Sequence, residues 1–246
     1  VDYPYSEMSL YDMWRGNKKV PLIGNLGGGS DHIGFYMHVG IPSMSGGAGG
    51  TTVYHSNYDS FRYYERFVDP EFQMGATIEK FAGIMSLRLA NATLIPYDLK
   101  RYPNDLKIHF DSAEEKVRKL KPAFKGFAKT RQAIDDLSKA AATATKNLSN
   151  RLNDMRISSV EIESLNRQLI ALEKSFIDQK GMYYGDWFKS IYASSDPFSG
   201  YASWILPGIE YELAIKRRKK LKEWDSRYAK AIADLAQKMS KMSAKY

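Results

Sequence analysis

Two rhythms of apolar residues divide this chain. In its later part the period is helical. Ile134, Leu137, Ala141, Leu148, Leu152 and Met155 follow steps of three, four and seven, the mark of one buried helix face. Ser159-Val160-Glu161-Ile162 offers a capped start, and Ile162, Leu165, Leu169, Leu172 and Phe176 continue as a single stripe. A last long helix is predicted to open at Pro207, a favourable first-turn residue, with Trp224, Tyr228, Ala231 and Leu235 on one face. The aromatic stretch from Asp178 to Leu206 reads as one long ordered loop between helices. These patterns predict an antiparallel helical bundle.

The earlier part is shorter in period and richer in turns. His32 to Val39 can form a helix capped by Ser30 or Asp31. Gly40-Ile41-Pro42-Ser43-Met44 suggests a short buried strand, and Ser45 to Thr52 a flexible connection. Thr77 to Ala90 is helical, with Ile78, Phe81, Ile84, Met85 and Leu89 at helical spacing. Short strands alternating with helices favour an α/β layer here. The predicted fold class is therefore α/β followed by all-α, with domains at 1–98 and 99–246; Pro96 disfavours helix just before the boundary.

Charge sharpens the division. Residues 1–98 hold 7 Lys/Arg and 10 Asp/Glu, whereas 99–246 hold 29 and 18, so net charges of −3 and +11 add to the chain's +8. The run Lys216-Arg217-Arg218-Lys219-Lys220-Leu221-Lys222 reads as a solvated helix face, since Trp224 and Tyr228 continue an apolar stripe and acidic residues interleave. Nucleic acid is not an expected partner, and no run nears the ~18 apolar residues that a membrane span needs.

Candidate chemistry is sparse. With no Cys and 4 His in the chain, a metal must be held by imidazole and carboxylate. His55 follows an aromatic residue after a Gly-rich loop, and Asp59, four residues on, could accept from its other ring nitrogen. Gly27-Gly28-Gly29 lacks the Lys-Ser/Thr of a P-loop and the spaced glycines of a dinucleotide site, so it reads as backbone passing close to something bulky. Ser30, Asp31 and His32 are neighbours in sequence, which is not how a hydrolytic triad is assembled.

In order, Leu26-Gly27-Gly28-Gly29-Ser30-Asp31-His32, Gly40-Ile41-Pro42-Ser43, Tyr54-His55-Ser56, Asp69-Pro70, Leu94-Ile95-Pro96-Tyr97-Asp98, Ile191-Tyr192-Ala193 and Pro207-Gly208-Ile209 resemble the closing portion of a zinc exopeptidase of the glutamate carboxypeptidase and transferrin receptor family. The resemblance implies that residues 1 to about 98 end an α/β catalytic domain and that 99–246 form a helical domain for homodimerisation and cleft closure. It implies two zinc ions in the parent enzyme, with His55 the one ligand in this chain and Asp59 behind it. Tyr54 would stabilise the tetrahedral intermediate, and Gly28, Gly29, Ser30 and Tyr201 would contact a peptide substrate. On this resemblance the chain alone is an inactive C-terminal piece of a metallopeptidase acting outside the cytoplasm. The alternative is a non-catalytic, receptor-like binding protein of the same fold. Gly200 stands where glutamate-specific relatives have lysine, and Met44 to Ala48 where they have arginines, so a less polar terminal residue is expected.

Overall fold

The structure is a computed structural model that describes residues 1–48, 53–153, 157–217 and 219–244. The chain divides into two compact units, residues 1–25 with 45–93, and residues 26–44 with 94–246. It is mostly helical, with one small antiparallel sheet among the described residues.

The first unit holds α1 (Leu10–Arg15), a short helical turn α2 (Phe61–Tyr63) that widens into Tyr64–Val68, and the long α3 (Gln73–Ala90). Ser9 caps α1 by accepting the Asp12 N–H at 3.0 Å. The Trp14 ring meets Phe81 of α3 edge-on, with centroids 6.3 Å apart. The helix expected from Thr77 begins four residues earlier, at Gln73, and the reason is Asp69. Its carboxylate accepts the N–H groups of Gln73, Met74 and Gly75 at 3.0, 3.2 and 2.9 Å, satisfying donors that a helix start leaves open. The Tyr5 and Tyr64 hydroxyls donate to the same carboxylate at 2.7 and 3.1 Å.

Burial pushes the Asp69 carboxyl up, but hydrogen bonds from Gly75, Tyr5, Met74 and Tyr64 more than offset it and hold the group at about 2. A carboxyl depressed on folding contributes stability that is complete above its unfolded value of about 3.9 and is lost as the pH falls towards the folded one. Amide protection at Gln73, Met74 and Gly75 should therefore fall between about pH 4 and pH 2, more than elsewhere in α3. Hydrogen-exchange protection factors measured across that window check this; flat values would remove Asp69 as the cap.

The second unit contains α4 (Arg101–Leu120), α5 (Ala128–Asn153), α6 (Ser159–Ile170), β1 (Ala193–Ser195), β2 (Ser203–Ile205), α7 (Pro207–Ala214) and α8 (Leu221–Ala244). α4 and α5 form a hairpin tied by Glu114, which accepts from the Phe127 N–H at 3.0 Å and pairs with Arg118 and Arg131. Asp225, in the second turn of α8, accepts from the N–H and hydroxyl of Thr130, so α5 and α8 start at the same end of the bundle. Their shared core includes Phe110, Leu137, Ala141, Trp224, Tyr228 and Leu235, all buried. Phe110 meets both Phe127 and Tyr228 edge-on, at 5.6 and 5.3 Å.

Several local expectations are met and others corrected. Leu165, Leu169, Leu172 and Phe176 form the buried stripe, although α6 ends at Ile170 and the last residues continue as a tighter turn. The cap is Ser158 rather than Ser159: Ser158 accepts the Glu161 N–H, and Glu161 accepts the Ser158 N–H in return. In the α5 series Ile134, Leu137 and Ala141 are buried, Leu152 is exposed and Met155 lies outside the described residues. The segment Gly40–Met44 forms no strand; Gly40 is left-handed at φ +73°, and Met44 is exposed. The helical turn after the glycine loop spans Gly34–Val39 and has no side-chain cap from Ser30 or Asp31. The flexible connection proposed at Ser45–Thr52 is unpaired over 45–48, and 49–52 lie outside the described residues.

The single last helix is in fact two. α7 stops at Ala214, Lys216 takes φ +56°, and the Lys220 N–H donates to the Glu212 carboxylate at 3.1 Å before α8 begins. Lys216, Arg217, Lys219 and Lys220 of the basic run thus lie in the α7–α8 turn and only Leu221 and Lys222 on a helix, with Arg218 outside the described residues. Between Asp178 and Leu206 the loop carries the β1–β2 hairpin, in register Ala193↔Ile205, Ser194↔Trp204 and Ser195↔Ser203.

Candidate functional site

Within the first unit, Val53 to Ser60 is a series of tight turns. The Ser56 N–H donates to Val53 O at 3.0 Å and the Asp59 N–H to Ser56 O at 3.1 Å. At their centre His55 takes φ +61°, a left-handed conformation that is uncommon for a residue with a side chain. The turn lays the imidazole of His55 on the phenol ring of Tyr54, with centroids 3.8 Å apart and planes 21° from parallel. Tyr54, His55 and Asp59 are all exposed. Such a pair presents an imidazole nitrogen beside a hydroxyl donor, which suits ligation or acid–base work on one side and hydrogen bonding on the other.

Within the second unit, the glycine loop and Tyr201 come together on the β1–β2 hairpin. A Cβ on Gly27 would lie 1.8 Å from Ser203 Oγ, and one on Gly28 would lie 2.6 Å from Ser195 Oγ. Gly29 takes φ +87°, and a Cβ there would sit 3.2 Å from the Tyr201 carbonyl and 3.6 Å from its ring. The bulky neighbour expected from the three glycines is therefore the hairpin itself. His32 Nε2–H donates to the Gly27 carbonyl at 2.5 Å and holds the loop from its far side. Ser30 is exposed at the loop's end, its carbonyl accepting from the Ile33 N–H at 3.2 Å, and Tyr201 is exposed as well.

The buried Asp69 and the partly buried Glu173 escaped the sequence reading as interacting groups. Asp69 was legible only as an acid-proline pair before a helix. Glu173 accepts from the Tyr102 hydroxyl at 2.5 Å; burial pushes its carboxyl up, and the Tyr102 hydrogen bond offsets this only in part. The Tyr5 hydroxyl on Asp69 and the Tyr102 hydroxyl on Glu173 come from 64 and 71 residues away, so neither contact shows in the local sequence.

Among the described residues no group of three or more His, Asp or Glu could hold a metal ion. A zinc site needs three or four protein ligands, so these residues do not make one by themselves. No helix among them is long and apolar enough to cross a membrane.

Comparison with known proteins decides the family. The profile of the transferrin receptor-like dimerisation domain matches residues 109–240. A probable glutamate carboxypeptidase, LAMP1 of Arabidopsis thaliana, is 32% identical over 215 residues, covering 87% of this chain and 30% of the relative. The chain belongs to the transferrin receptor-like exopeptidase family. A probable glutamate carboxypeptidase of Arthroderma benhamiae is 26% identical over 244 residues (94% of this chain, 33% of the relative). The aminopeptidase NAALADL1 of Rattus norvegicus is 28% identical over 192 residues (71% and 26%). The chain thus spans about a third of the length of these exopeptidase relatives, and it carries the dimerisation domain of the family.

Proposed function

We propose that this chain is the closing part of a longer zinc exopeptidase. It would supply one metal ligand, one intermediate-stabilising hydroxyl, part of the substrate cleft and the homodimer contact. The observation that carries this reading is the state of the first unit. Among its described residues no apolar side chain is buried, and Asp69 is its one buried residue. On α3, Ile78, Phe81, Ile84 and Met85 are only partly covered and Leu87 and Leu89 are exposed, and Trp14, Leu22, Phe61, Phe67 and Phe72 are exposed as well. Apolar surface on this scale belongs under another layer of a domain. The second unit, by contrast, has a closed core of its own.

In this reading His55 gives one imidazole to a zinc set completed by residues outside this chain, with Asp59 orienting it. Tyr54 donates to the oxyanion of the tetrahedral intermediate. Gly28, Gly29 and Ser30 border the substrate cleft, and Tyr201 anchors a terminal carboxylate. Relatives bear both carboxypeptidase and aminopeptidase names. The anchor role of Tyr201 and the loss of the glutamate-specific lysine at Gly200 favour a carboxypeptidase or dipeptidase with a less polar terminal residue. Residues 99–246 pair two copies, and an extracytoplasmic setting completes the proposal.

The test is hydrolysis of dipeptides and of their C-terminally amidated forms by the full-length protein and by residues 1–246 alone. The full-length protein should turn over the free-carboxylate substrates and the shorter chain none of them. Absence of turnover by a full-length, zinc-loaded dimer would favour the receptor-like alternative.

A further inference from the structure

The second unit holds a cavity of about 440 Å³ between α4, β2 and the start of α7, in the size range of small-molecule sites. Lys116 and Glu210 lie on its wall, with Nζ and Oε1 2.6 Å apart. The Lys116 side chain is half exposed, whereas Glu210 is four-fifths covered. Trp204 and Ile205 of β2, both partly buried, border it as well. His109 and Ser112 line the polar side, and His109 Nε2 is held by the Tyr192 hydroxyl at 3.1 Å. Burial lowers the affinity of His109 for a proton, with Asp105 offsetting this in part, so its imidazole adds no third charge near neutral pH.

These walls select by charge. A simple anion that approached Lys116 would meet the Glu210 carboxylate, and a simple cation on Glu210 would meet the Lys116 ammonium. A ligand that carries both signs one carbon apart matches both. The α-ammonium and α-carboxylate of an amino acid have that separation, while the termini of a dipeptide stand several ångströms further apart. We propose that this cavity binds a free amino acid as its zwitterion, carboxylate on Lys116 and ammonium on Glu210, with its side chain towards β2. The ligand class follows from the cavity alone and does not depend on the peptidase reading.

Calorimetric titration of the full-length protein with L-phenylalanine, N-acetyl-L-phenylalanine and L-phenylalaninamide tests it. L-Phenylalanine should bind with a Kd of about 1 mM or tighter, and each blocked analogue about tenfold or more weakly, as expected for loss of one charge-assisted contact. Lys116→Met and Glu210→Gln should each weaken L-phenylalanine about tenfold. No saturable binding, equal binding of the blocked analogues, or binding unchanged by both substitutions would overturn the proposal. The last outcome would place the ligand in another site, such as the peptidase cleft. Hydrolysis by the same samples reads the peptidase proposal separately.

Discussion

Replacing Trp224 with alanine should destabilise the helical unit by about 3–5 kcal/mol, the range for removing a large buried aromatic. Trp224 sits in the first turn of α8 with no exposed surface. Its indole packs on Gly208 of α7 so closely that a Cβ at that glycine would lie 2.3 Å from ring carbons. Tyr183 meets it edge-on at 5.6 Å, and Tyr228 lies at 5.7 Å on the next turn. The Arg227 guanidinium stands 4.1 Å over its face. Alanine would leave a cavity that α7 cannot fill, since Leu206 and Ile209 are committed to the same core. The indole N–H is buried without a hydrogen-bond partner. Trp224→Phe therefore removes an unsatisfied donor along with part of the ring, and it should cost distinctly less than alanine. Urea unfolding followed by far-ultraviolet circular dichroism separates the two. An alanine cost within about 1 kcal/mol of zero, or phenylalanine as costly as alanine, would show that this contact does not hold α7 to α8.

Periodic burial made much of the bundle legible. Leu137 with Ala141, Leu165 to Phe176, and Trp224 to Leu235 each recur at the helical step because one face of each helix meets the same core. What escaped has local physical reasons. The hairpin strands are three residues each, and Ala193-Ser194-Ser195 shows no alternation from which a period could be read. The α7–α8 break contains neither Gly nor Pro; its lysines are good helix formers, and a left-handed Lys216 leaves no mark in sequence. Ile41 and Met44 look like strand residues, but a strand also needs a neighbour, and Gly40–Met44 pairs with none. For the candidate site, the adjacency of Tyr54 and His55 and the three glycines were visible. The left-handed turn that stacks the first pair, and the hairpin that the glycines clear, depend on backbone geometry and distant residues.

His55→Asn in the full-length protein should lower peptidase turnover about a hundredfold or more and reduce bound zinc per protomer, since even partners behind a metal ligand cost 10–100-fold when removed. Asparagine is the informative replacement because two effects meet at this residue. His55 holds φ +61°, which alanine tolerates poorly, so His55→Ala mixes loss of the imidazole with strain in the turn. Asparagine accepts left-handed backbone and leaves the turn intact while removing the ring nitrogens. Turnover and metal content, by inductively coupled plasma mass spectrometry, should then fall together while the unfolding midpoint stays in place. A fall in the midpoint with zinc retained would assign His55 to the turn alone. Unchanged turnover in the asparagine variant would remove His55 from the proposed metal set and leave its stack on Tyr54, 3.8 Å between centroids, as a feature of the turn.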